Sequence, residues 1–400
     1  VEYKPREQWV EVDVEAIVQN LREVRTLIKD GVRLIAVVKA NAYGHGAAGT
    51  ASILESQGVD FFAVTYLEEA LKLRKRGIKS EIMILSPVIG EEEVRLAAAQ
   101  GITLTLASFH DASLLDGVSK EYGLNLKVHL KIETGLGRFG LECRQALEIC
   151  HNLSQNPLIK MDGIYTHMAK ALSHQSCQRQ FSLFQAAIEE LQAHGYHFSW
   201  QHCASSAVLA LYPHMQMNAV RIGTLLSGHY PVGVSGALNL MDPFKYKCRI
   251  ISIKKVRKGS TLGYYGTYRL MRDAQIAVIP VGFINGLALE VGNPPSGWLD
   301  LIKILLKNIL AFLGWNRFIR SVVINGKSYP LRGKVFMQMA LVEVPQEDPL
   351  ALEDEVEVPL RKTLAGELIP RYYRCRERYI KEEDLDPIRA EQIVGGRIYA

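Results

Sequence analysis

Along the first part of the chain, short apolar runs alternate with longer stretches whose apolar residues recur at helical spacing. WVEVDV at 9–14 alternates as a half-buried strand does, and a helical pattern follows it. RLIAVV (33–38), FFAV (61–64), EIMILS (81–86), TLTLA (103–107), NLKVHLKI (125–132), the end of IKMDGIYTHM (159–168), FSWQHC (198–203) and NAVRIG (218–223) read as further strands. The most continuous of them have the character of strands buried on both faces. Between them lie helical patterns such as Leu67–Arg76, Glu91–Ala99 and Gln178–His194. Eight strand–helix units in succession predict an α/β fold, a (β/α)8 TIM-type barrel over 13–240. The competing architecture is a doubly wound open sheet, in which the two ends of the sheet do not meet.

After about residue 240 the helical alternation stops. KYKCRIISIKKV, AQIAVIPVG, VVINGKSYPL, KVFMQMALVEV and DEVEVPL are short strands in close succession, predicting a mostly β second domain over 241–400. The strand within 1–12 precedes the barrel's first strand and is expected to join that domain. No internal repeat beyond the barrel units and no low-complexity linker interrupts the pattern.

Composition narrows the function more than the fold. A chain of 400 residues with 48% hydrophobic and 22% charged residues has ample core for two domains. Its net charge of +5 is small for this length, and basic residues are interspersed with acidic ones, so no nucleic-acid tract is present. The six cysteines, at 143, 150, 177, 203, 248 and 375, form no CxxC pair and read as reduced thiols of a cytoplasmic protein. No secretory signal is visible, and no metal-binding pattern is assigned.

The chemistry gathers where barrel strands meet the loops that follow them, the face on which barrels carry active sites. LIAVVKANAYGHG at 34–46 ends a buried strand on Lys39. An apolar surround there lowers an amine's pKa and makes it nucleophilic, although a strand-end lysine can also simply snorkel to water. Tyr43 lies in the turn after that strand. TGLGRFG at 134–140 follows the fifth strand and carries Arg138, and His167 ends the sixth. Ser205 and Ser206 follow the seventh strand, and Arg221 and Gly223 end the eighth, where barrels commonly bind phosphate. Each residue taken alone has a plainer reading: His167 as a core histidine, the arginines as surface ion pairs, Tyr43 and Tyr265 as amphipathic boundary residues.

Together these stretches resemble the alanine racemase family over nearly the whole chain. The first stretch resembles that family's cofactor-lysine motif, VHLKIETGLGRFG its arginine motif, THMA its histidine motif, AVRIGTLLSG its second arginine motif, and GYYGTY at 263–268 the segment bearing its catalytic tyrosine. The resemblance implies that Lys39 forms a Schiff base with pyridoxal 5'-phosphate (PLP) and that Tyr265 is the opposing base. It implies further that Arg221 faces the pyridine nitrogen, that His167 partners the tyrosine, and that Arg138 binds near the cofactor's phenolic oxygen and the substrate carboxylate. Lys131 matches a lysine carbamylated in many relatives. Tyr43, Ser205, Ser206, Gly223, Thr224 and a C-terminal tyrosine, Tyr372 or its neighbour Tyr373, are implied in holding the cofactor, and Met337 in lining the substrate side. Such enzymes take their tyrosine from the second subunit, implying a head-to-tail homodimer with two composite sites. The chemistry is consistent: racemisation removes the α-proton on one face and returns one on the other, so two bases are required, and an always-protonated arginine at the ring nitrogen restrains the electron sink.

Departures concern substrate more than fold. Ser205 stands where the family commonly has asparagine, Phe283 where tyrosine is usual, Phe336 in place of a cysteine and Gln338 in place of an aspartate. The expected activity is PLP-dependent interconversion of L- and D-alanine. Racemisation of serine or of a broader set of small amino acids is the enzymatic alternative, and PLP binding without turnover the non-enzymatic one. The GYYGTY segment argues against a decarboxylase. The stretch 284–336 is longer than the family's usual one, with an inserted helical segment near 294–320. It carries NPPSG and then LDLIKILLKNILAFLGW at 299–315, a helical pattern with Lys303 and Lys307 on one face. The first expectation is a helix packed on its own domain; a partner interface or membrane-surface contact is the alternative.

Overall fold

The structure is a computed structural model that describes residues 7–234, 238–289, 295, 297–312 and 320–395. Its contacts divide the chain into two compact units, Asp13–Pro243 with Tyr373–Ala400, and Val1–Val12 with Phe244–Tyr372.

Strand β1 (Gln8–Asp13) precedes the barrel. The barrel strands are β2 (Arg33–Val37), β3 (Phe61–Val64), β4 (Glu81–Ile84), β5 (Ile102–Leu106), β6 (Leu126–Lys131), β7 (Ile159–Tyr165), β8 (Trp200–His202) and β9 (Ala219–Ile222). All pair in parallel in chain order, and the sheet closes with Ile35 of β2 opposite Arg221 of β9. Closure disposes of the open-sheet alternative. Ile35, Val37, Phe61, Ala63, Met83, Tyr165 and Trp200 fill the interior, so the barrel is a packed core and not a pore. Outside it, helices such as Val14–Leu27 present one apolar stripe inward; that helix starts at Asp13, whose carboxylate accepts the Ala16 N–H at 3.0 Å.

Between β6 and β7 the register slips, with Val128 opposite Met161 but His129 opposite Gly163. Asp162 is the extra residue of a bulge. Gly163 is required there, because a Cβ would lie 2.5 Å from the His129 ring.

The residues from Tyr373 onward cluster with the barrel, where the sequence pattern assigns them to the β domain. Long-range packing decides this. The Tyr373 hydroxyl donates to the carbonyls of His45 and Gly46, each at 2.9 Å, and its ring lies over Gly49. The helix Pro387–Val394 packs on the helix Ala47–Ser56.

In the other unit the remaining strands are β10 (Phe244–Arg249), β11 (Ser252–Val256), β12 (Thr261–Leu262), β13 (Tyr268–Arg269), β14 (Ala274–Ile279), β15 (Ser321–Ile324), β16 (Lys327–Arg332), β17 (Ala340–Pro345) and β18 (Glu355–Glu357). Eight strands of a ten-stranded sheet run β11-β14-β17-β16-β15-β18-β10-β1, and β1 lies antiparallel to β10 with Val10 opposite Tyr246. Buried Glu11 is stabilised by Lys247 at 2.9 Å and the Trp9 indole N–H at 3.1 Å.

The inserted stretch forms a helix, Trp298–Phe312; residues 313–315 of the helical expectation, and most of NPPSG, lie outside the described residues. In the single chain the residues from Gly297 to Leu310 are exposed or half-buried.

Candidate active site at the barrel mouth

Lys39 directly follows Val38 at the end of β2. The next four residues, Ala40, Asn41, Ala42 and Tyr43, have φ of 49°, 55°, 51° and 56°. This is a left-handed turn built without glycine, a conformation costing about 1–2 kcal/mol per residue. It is held from several sides. Glu69 accepts the Ala40 N–H at 2.6 Å and the Thr65 and Tyr66 N–H groups at 2.8 and 3.0 Å, while the Asn41 side chain accepts the Ala47 N–H at 2.7 Å. Strain maintained this way is characteristic of functional positions. Burial lowers the pKa of Lys39; Arg138 lowers it further, Glu69 opposes, and Arg221 adds to the depression. More of the amine is thereby unprotonated and free to act as nucleophile or base near neutrality.

On β9, the strand paired with β2, Arg221 is buried and its hydrogen-bond partners carry no negative charge. Nη1 donates to His202 Nδ1 at 2.5 Å and to the His202 carbonyl at 2.9 Å, and Nη2 to the Thr166 carbonyl at 2.6 Å. His167 Nδ1 lies 3.5 Å from Nη2. Because arginine only donates, His202 accepts at Nδ1 and carries its proton on Nε2, which donates to His129 Nδ1 at 3.0 Å. Both rings are neutral: burial, with Arg221 among the opposing charges, pushes His202 well below the usual histidine range and His129 down to about 3. Tyr165 stacks on His202, with centroids 5.1 Å apart and planes within 9°. Sequence reading missed His129, His202, Tyr165 and Glu69. The histidines lay inside strands and looked like core, and only their convergence on Arg221 distinguishes them.

Lys131, the last residue of β6, is buried and donates to the Ile132 carbonyl at 2.9 Å; burial, then Arg221, lower its pKa to about 8, against a raising pull from Glu133. His167 is pushed to about 3 by burial and then by Arg221, Lys131, Lys39 and Arg138. Arg138 is exposed on the loop after β6, its guanidinium 4.7 Å from the Phe139 ring centre. That loop folds around Glu133, whose carboxylate accepts the N–H groups of Gly135, Leu136 and Gly137.

A small cradle lies beyond β8 and β9. Buried Ser206 accepts the Gly223 N–H at 3.2 Å and the Leu225 N–H at 3.5 Å, and half-buried Ser205 and Thr224 flank it. A Cβ on Gly223 would collide with the Tyr43 hydroxyl and lie 2.8 Å from its ring carbons. Burial raises the pKa of Tyr43 to about 12, so it is a neutral phenol.

Lys39, Tyr43, Lys131, Arg138, His167, Ser205, Ser206, Arg221, Gly223 and Thr224 thus all belong to the barrel unit, at the ends of its strands. Tyr265, Met337 and Tyr372 belong to the other unit. Tyr265 sits in a turn at φ 62°, is 89% exposed in the single chain, and has the Lys334 ammonium 5.0 Å from its ring centre. Met337 is exposed on a loop whose Phe336 and Met337 carbonyls accept the N–H groups of Phe283 and Ile284, at 3.0 and 3.1 Å. Of the two C-terminal tyrosines, Tyr373 hydrogen-bonds the His45 and Gly46 carbonyls within the barrel unit, and Tyr372 is buried in the other unit.

The donor set suits a phosphorylated pyridine aldehyde. It comprises an amine of lowered pKa, a buried guanidinium with no carboxylate among its hydrogen-bond partners, a cradle that a single Cβ would fill, and further cations at Lys131 and Arg138. Such a concentration of positive charge, part of it buried, favours an anionic ligand.

Comparison with known proteins agrees. Residues 12–231 match the family model for the alanine racemase N-terminal domain and residues 244–364 that for its C-terminal domain. The chain is 31% identical to alanine racemase 1 of Caldanaerobacter subterraneus over 358 residues, covering 87% of this chain and 84% of that protein. It is 31% identical to alanine racemase of Desulforamulus reducens over 354 residues, 87% of this chain and 88% of that one. The crystal structure of alanine racemase from Bacillus anthracis with bound L-Ala-P superposes with a TM-score of 0.79 at 25% identity, covering 94% of this chain and 97% of that one. On the fold, the geometry of the barrel mouth and these matches, the chain belongs to the alanine racemase family.

Proposed function

We propose that this protein is a PLP-dependent alanine racemase, working in the cytoplasm as a head-to-tail homodimer. The observation that carries the reading is the barrel mouth itself, where the depressed-pKa amine of Lys39 shares its end of the barrel with the buried Arg221 guanidinium and the Ser206–Gly223 cradle. In this reading Ser206, Gly223, Thr224, Ser205, Tyr43 and Tyr372 hold the phosphate, and Arg221 donates to the ring nitrogen. Bound PLP supplies the electron sink that makes the α-proton of the amino acid acidic. The exposed guanidinium of Arg138 holds the substrate carboxylate and fixes which face of the α-carbon each base meets.

Lys39, as a free amine, takes or returns the α-proton on one face. Tyr265 of the second subunit does so on the other, with His167 as its partner. His167 stays neutral over the working range because burial and the surrounding cations oppose its charging, so it accepts a hydrogen bond and does not add a further positive charge. Lys131, with a pKa near 8, has an appreciable fraction of free amine at neutral pH, and a free amine is what carbamylation by carbon dioxide consumes, releasing one proton. The resulting carboxylate would neutralise part of the charge around Arg138.

A second reading, turnover of serine or other small amino acids, is favoured by the exposed loop bearing Met337, where Gln338 stands in place of an acidic residue. Incubation of each amino acid in deuterium oxide, with chiral analysis, separates the readings. Deuterium uptake at alanine alone supports the strict enzyme, and uptake at none defeats the proposal. The composite site has its own test. Lys39→Ala and Tyr265→Phe are each expected to lose about 10²–10⁴ in rate. Mixed dimers of the two carry one doubly damaged and one intact site, so activity reappears; a demonstrated mixed dimer without recovered activity refutes the shared site.

A further inference from the structure

We propose that the helix Trp298–Phe312 docks this protein on the surface of a bilayer containing anionic lipids. At 3.6 residues per turn, Trp298, Leu299, Ile302, Leu305, Leu306 and Ile309 fall within an arc of about 120°; Asp300 and Lys307 lie opposite, beside Ile304, and Lys303 stands at the border of the arc. The six apolar side chains are between 53% and 81% exposed. Isolated apolar side chains on a surface are common, but a contiguous arc of this size calls for a partner.

Length and charge identify that partner. Fifteen residues span about 22 Å, short of the ~30 Å hydrocarbon core, and among the described residues no helix is long and apolar enough to cross a membrane. The helix therefore lies in the interface plane. Lys303 and Lys307 outside the apolar arc, with Arg317 and Arg320 after them in the sequence, outweigh the single Asp300. Trp298 and Phe312 stand at the two ends of the helix, the composition of an interfacial amphipathic helix. A second copy of the same helix would cover a narrow seam and bring two like-charged segments together. An anionic lipid surface covers the whole arc and meets the charge. The proposal is independent of the racemase reading, since no barrel-mouth residue enters it.

The test is cosedimentation of the full-length holoenzyme with vesicles of phosphatidylcholine, with and without phosphatidylglycerol. Binding is expected to the phosphatidylglycerol vesicles, weakened at high salt. Lys303→Glu with Lys307→Glu should weaken it by at least about tenfold, each surface cation contributing about fivefold. Ile302→Asp with Ile309→Asp should abolish it, with the thermal midpoint and sedimentation mass unchanged because these side chains are exposed. Absence of binding to the anionic vesicles overturns the proposal, as does binding that the apolar substitutions leave intact. A fall in oligomeric mass on Ile302→Asp with Ile309→Asp also overturns it, and assigns the helix to a second copy of the chain.

Discussion

Gly223→Ala offers a nearly pure steric test of the cradle. Gly223 does not adopt a left-handed φ, so alanine is tolerated by the backbone, and the whole effect comes from the added methyl. That methyl would lie 2.8 Å from two Tyr43 ring carbons and closer still to the hydroxyl oxygen, whereas ordinary contact begins near 3.4 Å. The ring must retreat by at least about 0.6 Å, and Tyr43 is anchored in the left-handed turn directly after Lys39. Over-packing of this kind costs about 1–3 kcal/mol, or roughly 5- to 150-fold in an equilibrium constant. The collision is present in the chain without ligand, so the cost falls first on the folded state, and reaches cofactor binding through the displaced Tyr43 ring. Urea unfolding of the apoenzyme should show the lost stability, and titration with PLP a raised Kd. The same substitution in a Tyr43→Ala background should cost little, because the colliding ring is gone. An equal penalty in both backgrounds, or none in either, would refute the steric account.

Acid should destabilise the apoprotein through its buried histidines. His129 and His167 titrate near 3 in the folded chain and near 6.5 when unfolded, so below about pH 6.5 the unfolded state takes up protons that the folded state refuses. Stability is complete above that pH and falls toward pH 3 by up to about 1.4 kcal/mol per pH unit for each group; a urea midpoint at pH 5 no lower than at pH 7 contradicts this. Gly49→Ala should free the C-terminal segment, since a Cβ there would lie 2.6 Å from the Tyr373 hydroxyl oxygen. Limited proteolysis after Tyr373 should accelerate and unfolding occur about 1–3 kcal/mol earlier, and an unchanged cleavage rate would show that the ring has another seat.

What the sequence determined by itself is local or periodic. Buried strands announce themselves as apolar runs, and eight of them separated by helical spacing admit few architectures; a reactive residue directly after such a run must lie at a strand end, hence at the barrel mouth. Lys39, His167, Ser206 and Arg221 were legible for that reason. Tertiary structure alone decided what those residues face. The Arg221–His202–His129 chain joins three strands, and neither histidine carries a local mark that separates it from core packing. The turn at 40–43 is left-handed although no glycine appears before Gly44, because Glu69 and Asn41 hold it against its own propensity. Tyr373 leaves the β strands' unit for the barrel because its hydroxyl and ring find a seat at His45, Gly46 and Gly49, more than three hundred residues earlier. The helix at Trp298 was visible as a helix, but its spacing says only which face is apolar. What covers that face is a property of the surfaces around it, and those are assembled from distant parts of the chain or lie outside it.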